Sequence, residues 1–370
     1  MALLLGTTLP FALASRFRTR TDYSPWSKLL HRVVLNGRHI GRFLFERERR
    51  ALDRPIGVMP RQGPVIISGL ARAGTTALTT MLARSPVFHS LSYANMPLLL
   101  APNIWHRIYR PRSGAARERS HGDKVLFSYT SVEALEEYFF KVFLDDAYIQ
   151  GDVLVEHTLS AEVAADYADY QRIIGRQHPE RPVYLAKNNN LILRYASLRK
   201  RMPALRTVFL FREPIDHAWS LMKQHLRFTE MQRADPFVRE YMDWLGHHEF
   251  GLGLKHFVFA GEHTRIDAAP DSIDHWLQVW IAYYTRLLDL IAEDGTLLIA
   301  YADLLRDPDG VLLRIGEHVG MDLQLPRADP FANDNAFDGS VDKDLRARAD
   351  ALYTRLLQKS MTGSTHPRSS

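Results

Sequence analysis

Val65-Ile66-Ile67-Ser68-Gly69-Leu70-Ala71-Arg72-Ala73-Gly74-Thr75-Thr76-Ala77-Leu78 is the stretch from which the rest of this 370-residue chain is read. Pro64 to Ile67 is a short apolar run, rich in β-branched side chains and bounded by Gly63 and Gly69. That is the pattern of a buried strand. Ala77, Leu78, Met81 and Leu82 then recur at helical spacing until Pro86 stops the pattern. Two glycines, an arginine and two threonines separate strand from helix. Such a turn aims several backbone N–H groups and the positive end of a helix at one point, which suits an anion.

The spacing comes close to G-x-x-x-x-G-K-[ST]: Gly69, four residues, Gly74, and two further positions. The lysine position holds Thr75, so the match fails at the residue that reaches the β- and γ-phosphates. Thr76 fills the hydroxyl position, and Arg72 is the one fixed charge in the loop. The loop reads as a phosphate cradle not built for a nucleoside triphosphate, with a ligand-free glycine turn as the plain alternative. A second apolar strand, Arg206 to Phe211, ends in Arg212-Glu213-Pro214. Pro214 suits the first turn of a helix that carries Ala218, Leu221, Met222 and His225 along one face. Arg212 at the strand end and Ser220 on the helix lie eight residues apart, so both reach one phosphate.

With these residues the chain resembles the sulfotransferases that use 3′-phosphoadenosine-5′-phosphosulfate (PAPS). In that family the first loop, a Lys or Arg followed by Ser/Ala-Gly-Thr-Thr, binds the 5′-phosphosulfate. Arg72-Ala73-Gly74-Thr75-Thr76 stands there in this chain. An Arg at a strand end with a Ser eight residues later binds the 3′-phosphate, matched by Arg212 and Ser220. Leu297-Leu298-Ile299-Ala300-Tyr301-Ala302-Asp303-Leu304, with Asp307-Pro308 after it, resembles the family's late strand and its Tyr-Glu-Asp-Leu opening. The matches fall in the family's order between residues 60 and 320, and they are to broad bacterial members rather than to the cytosolic animal enzymes.

The resemblance implies an α/β, three-layer, P-loop-like fold, with a central parallel sheet flanked by helices and helical additions. Alternating strands and helices give the same parallel sheet independently, and both phosphate motifs follow strands at their carboxyl ends, where open α/β sheets bind ligands. The implied reaction is sulfuryl transfer from PAPS to an acceptor hydroxyl or amine, with no metal. Catalysis then rests on positioning and charge stabilisation by Arg72 and the N–H groups of Gly74, Thr75 and Thr76.

The acceptor needs a general base. Many relatives place a Glu or His some twenty to thirty-five residues after the loop, but this window holds Tyr93, Asn95 and His106 and no carboxylate. Glu136 and Glu137 are the candidates, with His89 and His106 as alternatives. For both glutamates the ordinary reading is a solvated helix face. Glu133 fits a capping box opened by Thr130-Ser131-Val132. Lys187 follows a short strand, Val183 to Ala186, and either touches the transferred group or is a surface lysine before a turn.

The remainder of the chain sets the context. Hydrophobic residues make up 46% and charged residues 24%, ample for one large α/β core. There is no cysteine, hence no disulfide framework, which fits a reducing, cytoplasmic compartment. The net charge of +5 is local: residues 1–61 hold twelve Lys/Arg against four Asp/Glu. That argues against a nucleic-acid binder and for three regions. These are a basic arm over 1–57, a sulfotransferase-like α/β domain over 58–325, and a C-terminal loop, helix and disordered tail over 326–370.

Met1 to Ala14 is apolar but too short to span a bilayer and lacks the preceding charge of a signal peptide. Trp26, Leu30, Val33, Ile40 and Leu44 recur at helical spacing among Lys28, Arg32, Arg42, Arg47, Arg49 and Arg50. They form a basic amphipathic helix, with a break at Gly37, that either contacts an anionic membrane or packs on the core with a solvated basic face.

Leu91 to Trp105 is expected as an irregular wall of the site, and 107–123 as a mobile loop. Residues 228–265 show no clean period, and their aromatic and His content suggests a cover over an apolar or lipid-like acceptor rather than a metal site. Two other readings compete with the sulfotransferase. One is a small-molecule P-loop kinase, which needs the missing lysine and Mg²⁺. The other is a non-catalytic nucleotide- or membrane-binding protein.

Overall fold

The computed structural model describes residues 25–52, 62–109, 117–118, 126–127, 134–260, 266–292, 296–325 and 337–362. The apolar run Met1 to Ala14, the capping pattern at Thr130 to Glu133, most of the 107–123 loop and most of the C-terminal tail lie outside the described residues.

The described chain opens with α1 (Pro25–Asn36) and α2 (Arg38–Arg49), broken at Gly37. β1 (Val65–Ser68) runs through the glycine loop into α3 (Thr75–Leu82), and the short strand β2 (Phe88–His89) follows. The expected irregular wall contains a 3₁₀ turn at Tyr93–Asn95 and a regular helix, α4 (Pro102–Ile108). β3 (Arg117–Glu118) and β4 (Leu126–Phe127) pair antiparallel. Then come α5 (Glu137–Phe143), β5 (Ile149–Gln150), β6 (Val153–Val155), α6 (Ala161–Gly175) and β7 (Val183–Lys187). α7 (Tyr195–Arg201) leads to β8 (Arg206–Phe211), and α8 (Pro214–Ala234) leaves it. α9 (Pro236–Leu245), β9 (His256–Val258) and α10 (Ile273–Leu290) precede β10 (Leu297–Ala300). α11 (Tyr301–Arg306), α12 (Pro308–Val319) and α13 (Lys343–Thr362) follow.

Five strands form one parallel sheet in the order β10–β8–β1–β7–β2. β1, β7 and β10 are buried along their whole length, as the strands of a sheet covered on both faces are. The two-residue period then splits them between two cores. Ile66, Phe209, Phe211 and Leu298 face one side with α5, α6, α8 and α10. Val65, Ile67, Val208, Leu210 and Ile299 face the other, with Leu78 and Leu82 of α3 and Val311 and Ile315 of α12. This is the expected three-layer α/β arrangement.

β1 has β7 on one side and β8 on the other, so the strand order reverses there. The carboxyl ends of β1 and β8 therefore frame the crevice in which open sheets of this type bind ligands.

Two expectations about the elements differ from what is found. The stretch without a clean period contains the last turns of α8 and all of α9, which Asp235 caps through the Phe237 N–H at 3.1 Å. The buried positions of α9 are apolar (Phe237, Val238, Met242, Trp244 and Leu245), but the helix is only ten residues long between Asp235 and Gly246, with a polar Gln232 buried just before it. In α1 and α2 the basic face is only partly solvated: Arg47 and Arg50 are exposed, but others reach carboxylates of the body. Lys28 pairs with Asp235 at 2.8 Å, Arg32 with Glu240 at 2.7 Å and Arg42 with Asp145 at 2.9 Å. Arg49 pairs with Asp166, and Glu48 of α2 caps α4 by accepting the Ile104 N–H at 2.6 Å.

Candidate active site

The loop after β1 takes a path that its sequence was chosen for. Gly69 and Gly74 have φ of 144° and 99°, and Arg72 itself sits at φ 70°. These left-handed angles curl the backbone so that α3 starts at Thr75 with its N-terminus facing the turn. A Cβ on Gly74 would lie 2.5 Å from the ring of Tyr301, so the glycine is also a matter of space.

The three matched segments converge here. Arg72 Nε donates to Ser220 Oγ at 3.3 Å, joining the first loop to α8. The Arg212 guanidinium, 6% exposed, lies over the Tyr301 ring at 5.1 Å and 3.9 Å from Asp216. Tyr301, the first residue after β10, thus packs on both phosphate motifs. Burial lowers the proton affinity of Arg212, and the nearby charge of Arg72 lowers it further, against Tyr301 and Asp216. Lys223, one turn beyond Ser220, is lowered by burial and by Arg212 and Arg72. Arg72 on Ser220 and Arg212 over Tyr301, at the carboxyl ends of β1 and β8, make a place for a multiply charged anion.

Sequence reasoning missed Lys223 and also His217. His217 is fully buried, and its Nε2–H donates to the Ala71 carbonyl at 2.8 Å, pinning the loop to α8. Burial drives its pKa down to about 3, so it stays a neutral donor. Both residues lie within one turn of Ser220, which was the available signal.

Lys187 is 8% exposed, not a surface lysine, and its Nζ donates to Thr76 Oγ1 at 2.8 Å. The charge absent at Thr75 is thereby supplied in space from the end of β7. The next residues continue the wall. Ser68 donates to the Asn188 carbonyl at 2.7 Å, and Thr75 Oγ1 donates to Asn189 Oδ1 at 3.5 Å. Ala73 is buried beneath the loop.

Glu136 and Glu137 are both buried, at 1% and 2% exposure, rather than on a solvated face. Glu137 is held by Arg194 through two hydrogen bonds of 2.7 and 2.8 Å and by the Tyr148 hydroxyl. Burial opposes its ionisation, but Arg194 prevails and holds its carboxyl below the usual range. Glu136 accepts from Tyr167 at 2.6 Å and from Asn188 Nδ2 at 3.0 Å. Burial pushes its pKa up to about 7. His89 sits at the sheet edge, with Nδ1 2.8 Å from the Arg181 carbonyl, and His106 is an exposed residue of the last turn of α4.

A different carboxylate faces the loop side. The segment after α9 crosses the end of β7, where Asn190 Nδ2 donates to the Gly246 carbonyl at 3.3 Å. There Glu249 accepts from Asn189 Nδ2 at 3.4 Å and lies 3.6 Å from His247 Nδ1. Burial disfavours its charge, but His247 and Lys187 hold its pKa at about 2. Glu249 also lines a small, mainly apolar cavity with Leu70, Leu154, Leu221, Phe257 and Trp276. Among the described residues no group of three or more His, Asp or Glu is placed to hold a metal ion.

A model described as the sulfotransferase family matches residues 64–258, more than half of the chain, and the chain belongs to that family. Sulfotransferase STF1 from Mycobacterium tuberculosis H37Rv is a similar solved structure, at 15% identity over 90% of this chain and 84% of that one, with a TM-score of 0.44. STF9 from Mycobacterium avium matches at 16% identity over 90% and 78%, with a TM-score of 0.43. A sulfotransferase from Alicyclobacillus acidocaldarius matches at 16% identity over 81% and 94%, with a TM-score of 0.36. No curated protein matches in sequence.

Proposed function

We propose that this sulfotransferase moves a sulfuryl group from PAPS to an acceptor hydroxyl or amine without a metal ion. The observation that carries the reading is the joining of the loop after β1 to α8 through Arg72 and Ser220, with Tyr301 against both Gly74 and Arg212. One anionic group suits the curled loop and the start of α3, and a second suits Arg212, Ser220 and Lys223. When bound, the donor supplies a sulfuryl group on a bisphosphate leaving group. The sulfuryl group carries less charge than a terminal phosphoryl group, so the demand for a divalent cation is smaller.

The residues divide the work by position. Arg72, Lys187 and the N–H groups of Gly74, Thr75 and Thr76 meet negative charge as it builds on the leaving oxygen. Ala73 keeps the loop small and buried below them. Arg212 and Ser220 fix the far end of the nucleotide. For the acceptor proton, Glu137 is closed off by Arg194, and Glu136 reaches the sheet end only through Asn188. His247, with Glu249 behind it, takes the proton from the acceptor as the acceptor oxygen or nitrogen bonds to sulfur and the sulfur–oxygen bond to the nucleotide breaks. The aromatic content of residues 228–265 supports an apolar or lipid-like acceptor.

Calorimetric titration with 3′,5′-adenosine bisphosphate, with and without Mg²⁺ and against ATP, tests the reading. Metal-independent binding that is lost in Arg212→Ala is expected. No binding, or Mg²⁺-dependent preference for ATP, would overturn the proposal in favour of a kinase.

A further inference from the structure

Helices α1 and α2 carry a feature that the reaction does not use. Trp26, Leu29, Leu30 and Val33 are all exposed, Trp26 at 79%, and their spacing puts them on one face of α1. On α2, Ile40 and Phe43 are exposed, Phe43 at 66%, and Arg47 and Arg50 follow on the same face. The two stripes meet at Gly37, where a Cβ would lie 2.8 Å from the Val33 carbonyl and 2.9 Å from Ile40 Cδ1. Meanwhile Lys28, Arg32, Arg42 and Arg49 are drawn to carboxylates of α9, α6 and the segment after α5. The large apolar side chains are left outward, graded along α2 into two arginines.

We propose that this stripe is a membrane-contact surface for an anionic bilayer. The apolar residues of α1 and early α2 enter the boundary between headgroups and acyl chains, and Arg47 and Arg50 meet lipid phosphates. Charge decides between a bilayer and a second copy of the chain. Of the two glutamates in residues 25–52, Glu46 is paired with Arg49 and Glu48 is buried, so Arg47 and Arg50 set the charge of the outward face. A two-fold self-contact through this face would bring Arg47 and Arg50 against their own copies, whereas an anionic leaflet supplies the opposite charge. Among the described residues no helix is long and apolar enough to cross a membrane, so the contact is peripheral.

The test is co-sedimentation of the full chain with phosphatidylcholine vesicles, with and without phosphatidylglycerol. Binding is expected to need the anionic lipid and to weaken with added salt. The pair Arg47→Glu and Arg50→Glu is expected to lower partitioning by more than about 25-fold, from roughly fivefold for each charge near the surface. Trp26→Ser with Phe43→Ser is expected to lower it about tenfold or more. Titration with adenosine bisphosphate, unchanged in both double variants, shows that they are folded. Absence of vesicle binding in the wild-type chain would overturn the proposal, as would binding that neither pair affects. So would a concentration-dependent dimer that these substitutions abolish, which would assign the face to a second copy.

Discussion

Arg72 Nε and Ser220 Oγ stand 3.3 Å apart although 148 residues separate them in the chain. The contact welds the loop after β1 to the helix after β8, so the two elements proposed to hold the nucleotide form one unit. Loss of either partner is expected to be felt at both ends of the nucleotide. Ser220→Ala should weaken adenosine bisphosphate binding about tenfold, and Arg212→Ala about a hundredfold or more, in line with charge-assisted hydrogen bonds. Calorimetry checks both, and equal affinity in Ser220→Ala would remove the serine from the site.

His217 is expected to act as a strut rather than as a reactive group. Its neutral Nε2–H holds the Ala71 carbonyl. His217→Gln retains a donor and should bind adenosine bisphosphate within a few fold of wild type, whereas His217→Leu should lose about tenfold or more. The pH dependence has a defined sign. Burial lowers the pKa from 6.5 to about 3, so the unfolded chain binds a proton that the folded chain refuses. The stability that the neutral ring contributes is full above pH 6.5 and is lost as pH falls toward 3, at about 1.4 kcal/mol per pH unit. Urea titrations of wild type and His217→Gln between these limits should show the variant less sensitive to acid.

Gly74→Ala is expected to destabilise the fold and empty the site together. Its φ of 99° disfavours any side chain, and the added Cβ meets the Tyr301 ring at 2.5 Å. The backbone cost alone is about 1–2 kcal/mol. Because Tyr301 also underlies Arg212, nucleotide affinity should fall by more than the stability loss explains. A thermal melt paired with calorimetry separates the two.

Glu137 and His247 should part company in their phenotypes. Glu137→Ala leaves Arg194 buried without its carboxylate, and such breaks cost about 3–5 kcal/mol. Its defect should appear in denaturant midpoints. His247→Gln should leave stability and adenosine bisphosphate binding near wild type while lowering turnover about a hundredfold or more. Turnover kept in His247→Gln would move the base elsewhere, with Glu136, at a pKa of about 7, next to be tested.

Glu249→Gln is expected to act through His247. Removing the carboxylate 3.6 Å from Nδ1 should lower turnover about tenfold or more while adenosine bisphosphate binding stays near wild type, because the ring loses the group that orients it. Turnover unchanged in the variant would make Glu249 a wall residue.

The sequence by itself determined the sheet's central strands and the loop that leaves β1. These are local patterns: apolar runs, two glycines at fixed spacing, Pro214 opening a helix, and Arg212 and Ser220 eight residues apart. Each is complete within about two turns of chain, so spacing alone carries it. It also placed a break at Gly37. It did not find α9 or the end of α8: α9 is ten residues long and its apolar face, Phe237, Val238, Met242, Trp244 and Leu245, spans too few turns to stand out from the aromatic segment around it.

Tertiary structure decided what faces what. Lys187, from a strand more than a hundred residues beyond the loop, stands beside Thr76 and supplies the charge that the loop lacks. Glu136 and Glu137 turn into the core because Tyr167, Asn188 and Arg194 meet them there. The cations of α1 and α2 find carboxylates on the body and leave the apolar stripe outside. Helical spacing tells which residues share a face. Which face is buried depends on partners distant in the chain, and a long-range pairing of charges leaves no mark on local periodicity.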